Sequence, residues 1–232
     1  MIIAPFSNAT DGIAREASLF QAAQPAMLIW QADENALVVP TALARRDDMK
    51  NPMAEAAHMG WPVVTRGSGG GIVPQGPCTL NIAMVVAMSD ICTMDDGYRL
   101  ICDVIAEALT RFDVTSTTGS CENAFCDGQW NVLVEGRKLA GTAQRWRSTP
   151  QGRLALIHAA ILMQSPEPGL WPVMQNLHQV ALPRHSLPKA EAHVALDELI
   201  SGNMNFNSFP GALVRAAEDR LTLHERQKKA AA

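Results

Sequence analysis

The apolar positions of the chain alternate between two periods, and the change of period marks its elements. In DGIAREASLFQAA, residues 11–23, Ile13, Ala17, Phe20 and Gln21 recur at helical spacing behind Asp11 as a candidate cap, and Pro25 follows, which predicts an amphipathic helix. Two short apolar runs, 26–31 and 36–39, flank Asp33-Glu34-Asn35 and predict a hairpin-like pair of strands. A short helix is expected over 51–59, with Pro52 tolerated in its first turn, then a buried strand over 61–65. Residues 80–87 are apolar throughout, which suits a strand covered on both faces. Tyr98, Ile101, Cys102, Ile105, Leu109 and Phe112 recur every three or four residues and predict a long helix over 95–112. Gln129–Val134 reads as a strand, Glu135-Gly136 as a tight turn, and Lys138 opens the return strand. A further apolar strand over 153–163 ends at Ser165-Pro166-Glu167-Pro168-Gly169, after which helices are expected near 170–180, 189–200 and 207–227.

Strands dominate the middle and helices flank them, so the expected class is α+β, with a central mixed, largely antiparallel sheet. The chain is expected to form one unit, 1–165 as its core and 166–232 as a helical part packed on it. With 47% hydrophobic and 18% charged residues in 232, the composition is that of a soluble globular protein. A net charge of −4, with no basic block apart from Arg226-Gln227-Lys228-Lys229, argues against nucleic-acid or membrane surfaces as partners. No apolar run approaches the roughly eighteen residues of a membrane span. Five cysteines without zinc-like pairs, behind an N-terminus lacking the pattern of a signal peptide, fit free thiols in a cytoplasmic protein, and no metal site is expected. Cys92 and Cys102 read as small core residues. His178, His185, His193 and His224 show no mutual metal spacing and read as solvent-facing or packing residues.

The chemistry concentrates in two stretches. Arg66-Gly67-Ser68-Gly69-Gly70-Gly71 is either a flexible turn or a loop whose bare N–H groups wrap an acyl carbonyl or phosphate, with Arg66 supplying charge; without GK[ST] it is no P-loop. Asn81 reads either as an anchor for that loop or as a strand-end residue bonding local backbone. In the second stretch, 121–147, Cys126 and Lys138 stand on either side of the predicted strand. A thiol beside an amine suits acyl transfer, because a nearby cation favours both the thiolate and the developing oxyanion. Cys121 and Cys78 are the alternative nucleophiles. Gly141-Thr142-Ala143-Gln144 offers small residues against which a ligand can lie, and His158 reads equally as a site residue or as a buried histidine bonded to backbone.

GRKLAGTAQRWR, at 136–147, resembles the lysine motif of the lipoate-protein ligase, octanoyltransferase and biotin ligase superfamily, and TRGSGGGIVPQGPCTLNIAM, at 65–84, resembles its arginine-glycine loop. His158-Ala-Ala-Ile-Leu-Met is similar to the family's His-Gly-Thr/Ser-Leu-Leu strand. The resemblance implies the same α+β fold, with a tunnel for a medium-chain acyl group, and a lysine, here Lys138, at the acyl carboxyl end. Arg66, Ser68, Gly69, Gly70, Gly71, Asn81, Gly141, Thr142, Ala143, Gln144 and His158 would then line the substrate site. Cys126-Asp-Gly-Gln-Trp-Asn-Val is nearest the pattern of the octanoyl amidotransferase branch, with Trp130 and Asn131 substituted. That implies transfer of an octanoyl or lipoyl group through a Cys126 thioester, without a cofactor, from an acyl-carrying donor protein to the lysine of a lipoyl-domain acceptor, by a monomer. The alternatives are a ligase using ATP and Mg through an acyl-adenylate, and an acyl-binding subunit without activity. Two departures stand out: Pro40-Thr41-Ala42-Leu43 replaces the family's Gly-Arg-x-Gln turn, and Pro74-Gln75 stands where ligases carry His-Asp.

Overall fold

The computed structural model describes residues 2–150, 152–200 and 205–230, with no side-chain description for residues 2, 3, 206 and 227–230. The elements in chain order are β1 (Ile2–Phe6), α1 (Ala9–Ala22), β2 (Ala26–Ala32), β3 (Ala36–Pro40), α2 (Thr41–Ala44), α3 (Lys50–His58), β4 (Val63–Arg66), β5 (Val73–Gln75), β6 (Thr79–Met88) and α4 (Met94–Thr110). They continue with β7 (Thr117–Gly119), β8 (Asn131–Val134), β9 (Arg137–Thr149), β10 (Gly152–Leu162), α5 (Leu170–Ala181), α6 (Leu196–Leu199) and α7 (Phe209–Ala230). A seven-stranded sheet runs in the order β1-β2-β6-β10-β9-β8-β7 and a three-stranded one in the order β4-β3-β5. Among the named strands of the described residues, β1–β2 and β3–β4 pair in parallel and the others antiparallel. The class is therefore α+β with a mixed, largely antiparallel sheet, as expected from the pattern.

The centre of the large sheet is made by β6, β10 and β9, whose long antiparallel registers set His158 opposite both Ala83 and Ala143. Small residues beside the histidine leave room above the sheet for a ligand. Below it, α4 lays Ile101, Cys102, Val104, Ile105, Ala108 and Leu109 against β8, β9 and β10 in the largest core cluster. Its N-terminus is fixed by a capping box between Thr93 and Asp96. Full burial of each Ile, Val or Leu side chain on that face of α4 is worth roughly 1.5–3 kcal/mol. The C-terminal part shares this core: Val194, Leu196, Phe209, Leu213 and Ala217 lie in the α4 cluster, and α7 is tied to α4 by Arg220 on Glu107 at 2.6 Å. Likewise Leu170, Val173, Met174 and Leu177 of α5 join a second cluster with Leu37, Met49 and Trp61.

Several expectations are corrected. The runs at 26–31 and 36–39 do not pair: β2 lies between β1 and β6, and β3 belongs to the other sheet. The intervening turn is drawn away by main-chain bonds from Asp33 N to Phe6 O and from Glu34 N to Ser7 O, so the chain leaves the sheet instead of folding back. Helix α1 is capped by Asn8, whose side chain accepts from Asp11 N, and not by Asp11. No continuous helix spans 189–200, because Val194 N donates to Lys138 O and His193 bridges Lys138 in parallel; that backbone is extended along the sheet, leaving a 3-10 turn at Ala190–Ala192 and α6 as the helical pieces. The edge strands β1, β5 and β7, each five residues or fewer, were not anticipated. Of the basic block at 226–229, the side chains from 227 on lie outside the described residues.

Gly12, on the buried face of α1, makes room for an indole: a Cβ there would overlap the Trp30 ring. Gly12→Val is expected to destabilise the fold by about 1–3 kcal/mol through overpacking, read as a lower midpoint in urea unfolding. An unchanged midpoint would show that Trp30 can move aside.

Candidate active site

A β-bulge is what brings an amine into the interior. Between β8 and β9 the register passes from Val132↔Ala140 to Leu133↔Lys138, so that Leu139 is an extra residue on β9. The strand's alternation is broken there, and Lys138, Leu139 and Ala140 are all buried in succession. Lys138 is 1% exposed. Its Nζ donates to Phe125 O at 2.7 Å and to Cys126 O at 3.0 Å, and stands 5.1 Å from the centre of the Phe125 ring. Burial pulls its pKa below the ordinary lysine value, partly opposed by Cys126, Asp127 and Cys121. The two carbonyls take up two of its N–H groups, and burial favours release of a proton from the ammonium.

Those carbonyls belong to the loop that carries the thiol. Asp127 Oδ1 accepts from Cys121 N at 2.7 Å and from Asn131 Nδ2 at 3.0 Å, and Asn131 Nδ2 also donates to Gly128 O at 2.8 Å. Phe125 N–H donates to His193 Nε2 at 3.1 Å, while the two rings stack at 4.1 Å and 17°. His193 Nδ1 donates to Lys189 O at 2.8 Å, which fixes the tautomer. Burial and the Lys138 charge pull the His193 pKa down to about 3, so the ring stays neutral. Held in this way, Cys126 adopts φ 50°, in the left-handed region that a side chain other than glycine rarely enters. The loop is strained at the residue that bears the sulfur.

The glycine-rich loop closes over the same sulfur. Gly71 N–H donates to Cys126 Sγ at 2.8 Å. Gly70 has φ +99°, and a Cβ there would stand 2.9 Å from Cys126 Sγ and 3.0 Å from an Arg66 Nη, so both the conformation and the space require glycine. Arg66, 7% exposed, threads beneath, donating to Gly69 O at 2.9 Å, Gly71 O at 2.8 Å and Val38 O at 3.0 Å. A guanidinium so bound shapes the loop and lends positive potential to the thiol.

Cys126 lies where two cavities meet. The inner one, narrow at about 50 Å³, is lined by Ile13, Trp30, Val38, Val73, Thr142, Ala143, Ala159 and Ala160, with Gly141 and Asn81 also on its wall. It is an apolar slot with a thiol at its mouth, which suits an acyl chain. Its polar wall is a buried relay: Glu16, 4% exposed, accepts from Trp30 Nε1 at 2.8 Å and pairs with His158 Nδ1 at 3.0 Å, and His158 Nε2 meets Ser68 Oγ at 2.9 Å. The outer cavity shares only Cys126 with the inner one and is walled by Gly70, Gly71, Asp127 and His178 among others.

The structure thus gathers Cys126, Lys138, Arg66, Gly69, Gly70 and Gly71 in one place, and sets Ser68 and His158 in the wall behind it. Gly141, Thr142, Ala143 and Asn81 line the slot. Asn81 exchanges two amide bonds with Gln75, at 2.7 and 2.8 Å, and so holds β5 instead of the glycine loop. Gln144 is apart from the slot: its amide is committed to Met94 O and to Trp146 Nε1, both at 2.6 Å, where it fastens α4. Cys121 turns its sulfur to Ala192 O at 3.3 Å and Gly136 O at 3.5 Å, and Cys78 lies by Thr79; burial raises both thiols, and neither lines either cavity. Glu16 and His193 were missed. Glu16 carried a signal, since it sits on the apolar face of α1 between Ile13 and Phe20; His193 carried none in its own neighbourhood. Among the described residues no group of three His, Cys, Asp or Glu side chains could hold a metal ion.

An apolar slot ending in a thiol, a buried amine and a glycine loop define a site suited to acyl transfer, on an α+β scaffold. The lipoyl protein ligase A/B catalytic domain family matches residues 8–215, and the chain belongs to that family. It is 36% identical over 151 residues to an uncharacterized protein of Cupriavidus necator, covering 59% of each chain. It is also 39% identical over 88 residues to an octanoyl-GcvH:protein N-octanoyltransferase of Kyrpidia tusciae, covering 38% of this chain and 31% of that one. The matches therefore span less than two thirds of these relatives. In three dimensions it is similar to the lipoate protein ligase Ta0514 of T. acidophilum with bound lipoic acid, with a TM-score of 0.72, 15% identity and coverage of 95% and 85%. A lipoate-protein ligase A bound with ATP gives a TM-score of 0.72 at 16% identity, covering 96% and 84%. These last likenesses are of fold.

The His193 contact has a pH consequence. The folded protein keeps the ring neutral down to about pH 3, whereas the unfolded chain takes up a proton near 6.5. A base whose folded pKa is depressed contributes stability that is present above the unfolded value and is lost as pH falls from there toward the folded one. Wild type should therefore lose more stability than His193→Gln between pH about 7.5 and about 5 in urea titrations. Equal losses would place the acid sensitivity elsewhere.

Proposed function

We propose that the protein is a protein-lipoylation enzyme that transfers an octanoyl or lipoyl group to a lysine of a lipoyl-domain protein through a thioester on Cys126. The observation that carries this reading is the thiol held by Gly71 N–H at the mouth of an apolar slot, on a loop whose carbonyls are clasped by Lys138. Family membership and the names of the octanoyltransferase relatives support it. Residues 1–165 would supply the site and 166–232 would brace it within one catalytic domain, working as a monomer in the cytoplasm. Among the described residues no helix is long and apolar enough to cross a membrane.

In the first half-reaction the Lys138 amine takes the thiol proton and Cys126 Sγ attacks the acyl carbonyl of the donor. The C–S bond forms, the bond to the donor's leaving group breaks, and that group departs with the proton from Lys138. Glycine-loop N–H groups and Arg66 stabilise the charge on the carbonyl oxygen. In the second, the acceptor amine attacks the thioester. The C–N bond forms, the C–S bond breaks, and the amine proton passes through Lys138 back to sulfur. No cofactor is consumed. Cys121 and Cys78 are set aside as nucleophiles, because neither faces the slot. The ligase alternative, with ATP and Mg, is supported by the fold neighbour bound with ATP. It leaves the strained cysteine without a task.

The test is intact-protein mass after incubation with an octanoylated carrier protein. Wild type should gain a hydroxylamine-labile octanoyl group; Cys126→Ser should gain none, and Lys138→Ala should gain it more than about a hundredfold more slowly. An adduct that persists in Cys126→Ser overturns the assignment. An acyl-adenylate formed from free octanoate with Mg-ATP would make the protein a ligase.

A further inference from the structure

The outer cavity is not needed to house the acyl chain, yet it opens onto the same sulfur. It is lined by Gly70, Gly71, Glu122, Asp127, Leu182 and Arg184, with His178 in its wall. Two features point to a ligand. First, its fixed charges are two carboxylates against one guanidinium, an excess that favours a cation. Asp127 spends Oδ1 on Cys121 N–H and on Asn131, and no bond engages Oδ2 among the described residues. Second, His178 is 3% exposed, lines this cavity, and makes no side-chain hydrogen bond among the described residues. Leaving such a group unpaired costs about 1–3 kcal/mol, so it is kept at a site more readily than in a packed core. Burial, reinforced by the nearby His185, lowers its pKa, which keeps the ring neutral and one nitrogen an acceptor.

We infer that this cavity is the port for the lysine arm of the protein substrate: the alkyl chain lies along Leu182, and its nitrogen donates to His178 and Asp127 beside the Cys126 thioester. The inference rests on the thioester reading above. The port supplies what the inner slot lacks, acceptors for a cationic nitrogen on the open side of the sulfur. The alkyl stem of a lysine fits an apolar edge such as Leu182, whose Cδ1 would lie 3.3 Å from a Cβ at Gly71. The bound ammonium gives one proton to water in the open cavity before it attacks, and the second, lost as the C–N bond forms, returns to sulfur as above; His178 takes neither and orients the nitrogen, so it is a binding residue of the port.

The experiment separates this port from the chemistry. Cys126 is loaded to completion with p-nitrophenyl octanoate, a small ester, and a purified lipoyl domain with one target lysine is then added while the octanoyl adduct is followed by intact mass. Transfer from loaded enzyme should fall at least about tenfold in His178→Phe, the worth of one hydrogen bond to a charged partner. It should fall as far in Ser186→Trp, which places bulk at the exposed rim of the cavity without touching the core. Hydroxylamine, small enough to pass, should still release the acyl group from Ser186→Trp. Transfer at the wild-type rate in Ser186→Trp overturns the port, whether or not His178→Phe folds. Failure of wild type to load at all overturns the thioester reading instead.

Discussion

Lys138 is buried because a bulge turns it inward, and the site depends on what that burial forces. An amine removed from water must find acceptors, and within its reach these are the carbonyls of Phe125 and Cys126. The same two bonds therefore satisfy the lysine and fix the loop that bears the thiol. Phe125 is gripped a second time by His193, through its N–H and its ring, and His193 is itself bridged to Lys138 across β9. Sheet, loop and C-terminal segment thus close a ring around one ammonium-sized space.

The glycine loop completes the arrangement from the opposite side. With Cys126 in a left-handed conformation, its sulfur points into space that exists only because residues 70 and 71 lack side chains. A left-handed non-glycine residue costs on the order of 1–3 kcal/mol, and a bulk substituent at Gly70 would add a direct collision with Sγ. Arg66 holds the loop by its carbonyls, leaving the Gly71 N–H directed at sulfur. The thiol is thereby preorganised before any substrate arrives, and it faces an apolar slot on one side and a polar cavity on the other.

Much of this was legible in the chain. The helical period of α4, the unbroken apolar run of β6 and the turn at Glu135-Gly136 each predicted an element that forms, because burial of a whole face or of both faces leaves a local trace. The glycines at 69–71 and the pair Cys126 and Lys138 were legible as chemistry for a similar reason: few other residues fit such backbone or such reactions. What escaped was set by long-range pairing. The runs at 26–31 and 36–39 look like a hairpin locally, and only main-chain bonds from Asp33 and Glu34 to Phe6 and Ser7 send them to different sheets. His193 looked like any other histidine, since its role depends on a partner 68 positions away. Gln144 read as a ligand-side residue because it follows Gly141, yet it spends its amide on the start of α4.

The wall formed by Glu16, His158 and Ser68 bears on how the two halves of the site hold together. A carboxylate at 4% exposure would be costly alone; here both oxygens are bonded, one to Trp30 and one to His158. The relay ends on Ser68, two residues before the glycine whose absent side chain admits the sulfur. The helix α1, the strand β10 and the glycine loop are consequently joined through buried polar contacts, whose geometry is stricter than that of apolar packing because each unmade bond is penalised in full. Cutting the relay at Glu16 would leave His158 free to turn and Ser68 without its partner, and the position of Gly70 over Cys126 would be less well defined. Polar residues thus do here what the apolar core cannot: the core holds the sheets together, and the relay fixes where a loop of glycines stands against a single sulfur atom.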